Sequence, residues 1–373
     1  MAAIPFIILK LWSGREDLNL RPLEPHSSAL PGCATPRHNF HSIYQLDSLV
    51  SIIYFMYLHF YFGSGAEMGK KYRIPEALLP GDIIGIAAPA GPCEPDDVER
   101  GVRILESAGY AVLVPDGLFE KNGWLAGTDA HRAGIISRLF ADDAVKAIFC
   151  ARGGYGSMRI LPLLDTEIIR THPKIFTGFS DITALLSFFQ HHCGMVCFHG
   201  PVLSTMDEGL SLTALLCAIR DSDALRIQSD NAAVLRPGRA SGIVSGGNLA
   251  TLCHLTGTAF HPFFKGQIVI LEDWNEPPYK IDRMLTQMKL SGCFSGLKGL
   301  ILGSFEHCGT DAEIHNIIKD VFHDCEIPVM AGFAFGHGSG NITLPLGLSA
   351  EMDTENAMLV FHDAAVCPPG IQV

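Results

Sequence analysis

The chemistry legible in this chain begins at residues 151–157, ARGGYGS, which follow the apolar run KAIFCA and precede MRILPLL. A serine on a glycine-rich turn between a strand and a helix is what a nucleophile elbow needs. The glycines permit a sharp turn, and the helix N-terminus adds N–H donors and partial positive charge where an oxyanion develops. The pattern is not GxSxG, so locally Ser157 reads equally as a helix N-cap after a turn, and the local pattern alone favours the cap. A phosphate cradle is a third reading, but the stretch lacks both the GxxxxGK[ST] lysine and a GxGxxG pattern.

A serine nucleophile needs a base, and the base needs a carboxylate to orient it. Of the 16 histidines, His191 and His192 end a helical pattern, where cationic groups suit the dipole, and His254 lies on a helix. His337 differs, because it sits in FGHGSG (335–340), a loop able to present an imidazole edge to a cleft. His199, in FHGP after a strand, is the runner-up. For the carboxylate, QIVIL (267–271) reads as a buried strand delivering Glu272 and Asp273 at its C-terminal edge, where open α/β sheets place their ligands. Glu276, before Pro277-Pro278, fits a helix cap better.

These residues must be carried by alternating elements. Residues 82–88 (DIIGIAA) form an apolar, isoleucine-rich run that reads as a buried strand. Residues 95–108 follow as an amphipathic helix with Gly109 past its end. Residues 111–115 and 146–151 are further strands, separated by a helix capped by Thr128, whose Ile135/Leu139 and Ile136/Phe140 pairs share a face. Residues 174–178, 180–191 and 195–198 continue the alternation. All-apolar strands alternating with helices predict a parallel sheet covered on both faces. The expected fold is α/β: an N-terminal parallel-sheet (Rossmann/flavodoxin-like) domain at 68–225 and a smaller C-terminal α/β domain at 243–373. The polar stretch 226–242, with Pro237 and Gly238, reads as a linker. In the second part strands are expected at 267–272, 298–303 and 342–345, and helices near 248–256, 279–290 and 311–323.

The chain has 373 residues, 48% hydrophobic and 18% charged, as expected of two globular domains. A formal net charge of -12 without a basic block argues against a nucleic-acid or anionic-membrane partner. The 11 cysteines are scattered singly through apolar stretches without a CxxC pair, which reads as buried free thiols in a reducing compartment. Residues 1–67 read differently from the rest. The apolar-aromatic run 49–62 is shorter than the roughly 20 residues a membrane span needs. Residues 14–37 resemble the peptide read from the antisense strand of a transfer-RNA gene. The expectation is a spurious upstream extension with the fold beginning at Met68, and the rival is a short membrane anchor.

Taken together, ARGGYGS, TGFSDIT (177–183), SGGNL (245–249), ILEDWNEPPYKIDRML (270–285), GLILGSF (299–305) and GFAFGHGSGNITLPLG (332–347) resemble the bacterial LD-carboxypeptidase, or muramoyltetrapeptide carboxypeptidase, family, collinearly from about 79 to 350. The resemblance implies a serine peptidase with a Ser–His–Glu triad falling on Ser157, His337 and Glu272, acting on a murein peptide in the cytoplasm, without metal or other cofactor, often as a homodimer. The choice of Glu272 over Asp273 rests mostly on that resemblance. The implied mechanism gives the oxyanion the Met158 N–H and a second donor, with Gly127 as a weak candidate. A carboxypeptidase must also bind a free terminal carboxylate, for which Arg152 is a candidate; its other reading is a salt bridge closing the turn. Asp181 reads as a helix cap or as a wall of the cleft. The family is also similar to microcin-C immunity peptidases, which use the same triad on a peptidyl-nucleotide. The rival from another class is a non-catalytic module binding a nucleotide or sugar phosphate.

Overall fold

The computed structural model describes residues 72–221 and 223–370. The expectations for residues 1–67 lie outside the described residues. Five strands build the first sheet in parallel: β1 (Ile83–Ala87), β2 (Ala111–Leu113), β3 (Val145–Cys150), β4 (Ile175–Gly178) and β5 (Cys197–His199). Helix α1 (Pro95–Ser107) connects β1 to β2, and α2 (Asp129–Ala141) connects β2 to β3. The short α3 (Ser157–Ile160) and α4 (Thr166–Thr171) lie between β3 and β4, α5 (Thr183–Phe188) lies between β4 and β5, and α6 (Leu210–Arg220) follows.

The local chemistry explains the elements. Ile84, Ile86, Ile148 and Phe149 are wholly buried, as strands covered on both faces require. Pro95 starts α1, Asp96 and Asp97 occupy its first turn, and Gly109, at φ +96°, lies just past its end. The Thr128 side chain caps α2 by accepting from the His131 N–H. The spatial order 2-1-3-4-5 is that of a flavodoxin-like doubly wound sheet, whose order reverses between β1 and β3. The loops leaving those two strands therefore flank a crevice, and residues 151–157 form one of them.

The second sheet contains β6 (Ala224–Gln228), β7 (Ala233–Arg236), β8 (Arg239–Asn248), β9 (Gln267–Trp274), β10 (Gly299–Glu306), β11 (Val329–Ala331), β13 (Ser349–Asp353) and β14 (Met358–Ala364). Helices α7 (Leu249–Leu255), α8 (Pro278–Leu290) and α9 (Asp311–Val321) intervene. Its centre, β8-β9-β10-β11, is parallel. β12 (Leu344–Leu346) leaves this sheet and pairs antiparallel with β5 at the edge of the first, where Pro345 forfeits no interior ladder bond. The expected strand near 342–345 thus exists but belongs to the N-terminal sheet.

Two expectations need correction. Residues 226–242 are not a linker but carry most of β6, all of β7 and the start of β8. They look polar because β6 and β7 are the two edge strands, and β6 alternates exposed with half-buried positions. The second sheet also has eight strands against six in the first, so only its residue span is the smaller. Polar ties join the sheets: Gln190 Nε2 donates to the Val244 carbonyl at 3.0 Å, Ser245 Oγ donates to Gln190 Oε1 at 2.7 Å, and the Asn248 N–H donates to Thr183 Oγ1 at 3.0 Å.

Candidate active site

Ser157 is the first residue of α3, reached from β3 through the glycine turn. Gly156 takes φ +128°, and a Cβ there would lie 2.5 Å from Leu125 and 2.8 Å from Arg132. The turn therefore places its left-handed backbone on glycine and leaves the serine unstrained. Ser157 is buried, and its N–H donates to Asp181 Oδ2 at 2.8 Å. Its Oγ has no well-formed hydrogen bond, although it lies near the same carboxylate. Met158 is a first-turn residue, so its N–H has no intrahelical acceptor.

Asp181 is a cap, but for the helix that starts at Ser157 and not for its own. Burial raises its carboxyl above the usual range, while donors from Ser157 and Gly156 and the charge of Arg132 oppose the rise. Ser180 beside it is one of few non-glycine residues with positive φ, at 62°.

Glu272 lies near the C-terminal end of β9, wholly buried and paired in register with Asn248. Its Oε2 accepts from His337 Nδ1 at 2.6 Å and from the His337 backbone N–H at 3.3 Å. A Cβ on Gly336 would fall 2.5 Å from that oxygen, at φ +99°, so the residue before His337 must be glycine for the pair to close. The loop is pinned by Gly336 N–H donating to Asn341 Oδ1 at 2.9 Å and Gly338 N–H donating to Ser304 Oγ at 2.8 Å. The imidazole, 17% exposed, lies between Phe179 (4.8 Å between centroids) and Trp274 (5.9 Å, planes 20° apart). Phe179 precedes Asp181 by two residues, so one short segment touches both the histidine and the Ser157 turn.

Asp273 takes no part in the pair. It accepts from Asn248 Nδ2, the Ala250 N–H and the Trp274 N–H, and so tethers the start of α7. Burial first, then the neighbouring Glu272 charge, pushes its carboxyl up to about 7. The structure thus separates Glu272 from Asp273, which sequence pattern could not do.

His199, the runner-up base, is fully buried at the end of β5, against Phe335 and Phe179. Burial lowers it to about 4, leaving it neutral, and neither ring nitrogen has a partner among the described residues. Arg152 is exposed and donates to the Pro92 carbonyl at 3.2 Å, so the alternative of a turn-closing salt bridge is not what forms. Gly127 is excluded as a free donor, because its N–H is committed to the Leu125 carbonyl at 2.9 Å. Glu276 does not cap α8 but pairs with Lys280 at 3.0 Å. No His/Cys/Asp/Glu cluster among the described residues could hold a metal ion.

Sequence reasoning missed Arg132, Asp129, Phe179, Ser304 and Trp274. Arg132 had a signal: it stands three and four residues before Ile135 and Ile136, and so shares the apolar face of α2.

A histidine whose Nδ1 is held by a buried carboxylate can accept a hydroxyl proton at Nε2. Residues 84–200 match the LD-carboxypeptidase N-terminal domain, and residues 241–352 match the LD-carboxypeptidase C-terminal domain. A Bacillus subtilis protein named "probable murein peptide carboxypeptidase" is 36% identical over 299 residues, covering 77% of this chain and 94% of that protein. The microcin C7 self-immunity protein of Escherichia coli is 27% identical over 318 residues, covering 75% of this chain and 92% of that protein. The solved muramoyltetrapeptide carboxypeptidase from Oxalobacter formigenes superposes with a TM-score of 0.67 at 28% identity, covering 75% of this chain and 99% of that one. With both domain models matched in order and a relative at this identity along nearly its whole length, the chain belongs to the LD-carboxypeptidase family and is a serine carboxypeptidase.

Proposed function

We propose that this enzyme removes a terminal D-alanine from a murein tetrapeptide, with Ser157 as nucleophile, His337 as general base and Glu272 as its orienting carboxylate. The observation that carries the reading is the 2.6 Å contact between His337 Nδ1 and buried Glu272, on a loop whose ring packs against the segment holding the Ser157 turn. Nε2 takes the Ser157 proton as Oγ attacks the carbonyl between an L-configured centre (of diaminopimelate or lysine) and D-alanine. Glu272 fixes the tautomer and stabilises the imidazolium. The Met158 N–H receives the tetrahedral oxyanion, aided by the helix start. The imidazolium then protonates the leaving amine, and water, deprotonated by the same imidazole, releases the tripeptide. Arg152, exposed beside the turn, receives the substrate's terminal carboxylate, and Asp181 walls the cleft while it caps α3.

The remaining assignments belong to the same reading. The tripeptide product feeds murein recycling in the cytoplasm, where the cysteines, most of the described ones buried, stay reduced. The active form is a homodimer, without nucleic-acid or membrane partner, and catalysis needs neither metal nor cofactor. The likeness to the microcin C7 self-immunity protein supports a second substrate class, a peptidyl-nucleotide opened by the same three residues. Incubation with murein tetrapeptide and with an aminoacyl-nucleotide analogue, followed by weighing the products, tests the choice. D-Alanine release from the tetrapeptide, undiminished by chelator, is expected. Cleavage of the nucleotide analogue alone would transfer the assignment to the second class.

A further inference from the structure

The Ser157 turn is gripped from beneath by a buried cation. Arg132, on α2, has a side chain wholly withdrawn from solvent. Its Nη1 donates to the carbonyl of Pro89, in the loop leaving β1, and to the carbonyl of Gly156 at 2.9 Å. Its Nη2 donates to Asp129 Oδ1 at 2.5 Å. The same Asp129 receives Arg159, two residues beyond Ser157, through both carboxylate oxygens at 2.8–3.0 Å. One guanidinium therefore ties together the two loops that flank the reversal of strand order, and its counter-ion ties in the helix that follows.

The geometry bears on the reacting atoms. The peptide entering Ser157 is held at both ends: the Gly156 carbonyl by Arg132, and the Ser157 N–H by Asp181 at 2.8 Å. That plane anchors the turn, and the helical φ and ψ of Ser157, first residue of α3, carry its orientation on to the next plane, which bears the Met158 N–H. A planar five-donor fork serving two carbonyls and a carboxylate does what a lysine's point charge cannot.

We infer that Arg132 is a positioning residue for acylation, its fork holding the 156–158 peptide planes so that the Met158 N–H faces the developing oxyanion. The inference rests on Ser157 being the nucleophile. It acts through the turn and leaves substrate binding alone, so its loss should appear in kcat and not in KM.

The test compares wild type, Ser157→Ala, Arg132→Lys and Asp129→Asn. Three quantities are measured: the rate of fluorophosphonate labelling, kcat and KM on tetrapeptide, and the folded fraction from thermal melting. Wild type should label at Ser157. Per folded molecule, Arg132→Lys should label about 100-fold more slowly, as misplacement of a turn by about 1 Å allows, with kcat falling in parallel and KM within about threefold. Asp129→Asn, at a partly exposed position, should slow labelling about tenfold at an unchanged KM, since the fork loses its anchor but keeps its carbonyls. Labelling of folded Arg132→Lys at the wild-type rate, or a loss that only tracks the unfolded fraction, overturns the inference. If Arg132→Lys does not fold, Asp129→Asn decides alone: slower labelling of a folded variant supports the clamp, and normal labelling sinks it. A wild type that does not label at Ser157 removes the underlying reading instead, and is distinguishable because Ser157→Ala would then keep its activity.

Discussion

His337 can serve as a base only in the tautomer that leaves Nε2 open, and its contact with Glu272 at 2.6 Å selects that tautomer. Glu272→Gln still fills the space but cannot hold the imidazolium. Its kcat should fall by up to about 10⁴-fold, and the effect should not add to that of His337→Ala, because both disable one unit. A double variant much slower than either single one would contradict that coupling. Gly336→Ala tests the same pair from the backbone, for the new methyl would land 2.5 Å from Glu272 Oε2 at φ +99°. The expected result is a kcat loss comparable to that of Glu272→Gln together with about 1–3 kcal/mol of destabilisation, read from denaturant unfolding. A fully active, equally stable variant would show that the loop is not constrained by the carboxylate.

At the scale of elements, β5 and β9 each carry near their C-terminal ends a buried group whose titration affects folding, and the two act in opposite directions. His199 at the end of β5 is lowered from 6.5 to about 4 by burial, so the unfolded chain binds its proton more readily. The stability from His199 is present above pH 6.5 and is lost as pH falls towards 4. Asp273 on β9 is raised from 3.8 to about 7, chiefly by burial, so the folded chain binds its proton more readily. Its contribution is greatest at acid pH and is lost as pH rises from about 4 to about 7. Relative to wild type, His199→Leu should make stability fall more steeply with rising pH over 4–7. Asp273→Asn should make it rise more steeply over the same window. Unfolding free energies across pH 4–8 check both signs, and a shared sign for the two variants would contradict the assignment. Local signals showed where these strands and the glycine turns lie, because apolar runs and GGYG or FGHG patterns act over a few residues. The pairing of residues 65 apart, and the cap that Asp181 gives to another helix 24 positions away, depend on tertiary packing and left no local trace. Residues 226–242 misled for a related reason: β6 keeps one face in water, so its alternate residues are polar and the stretch reads as a connection.

Across the whole molecule, the two sheets divide the work. In the proposed mechanism the first supplies Ser157 at the reversal of its strand order, and the loop after β11 of the second supplies His337 beside Glu272 of β9, with Gln190, Thr183 and their partners fastening one to the other. Most of the described cysteines are buried singly along the chain, so titration under denaturing, non-reducing conditions should find nearly all 11 cysteines free. Recovery of most as disulfides would overturn the cytoplasmic assignment. The most direct measurement is D-alanine release from murein tetrapeptide by Ser157→Ala. The serine hydroxyl has no well-formed hydrogen bond to lose, so the variant should fold with an unchanged melting temperature. It should release D-alanine at least about 10⁴-fold more slowly than wild type. A folded Ser157→Ala enzyme with near-normal turnover would contradict the serine mechanism assigned to this site.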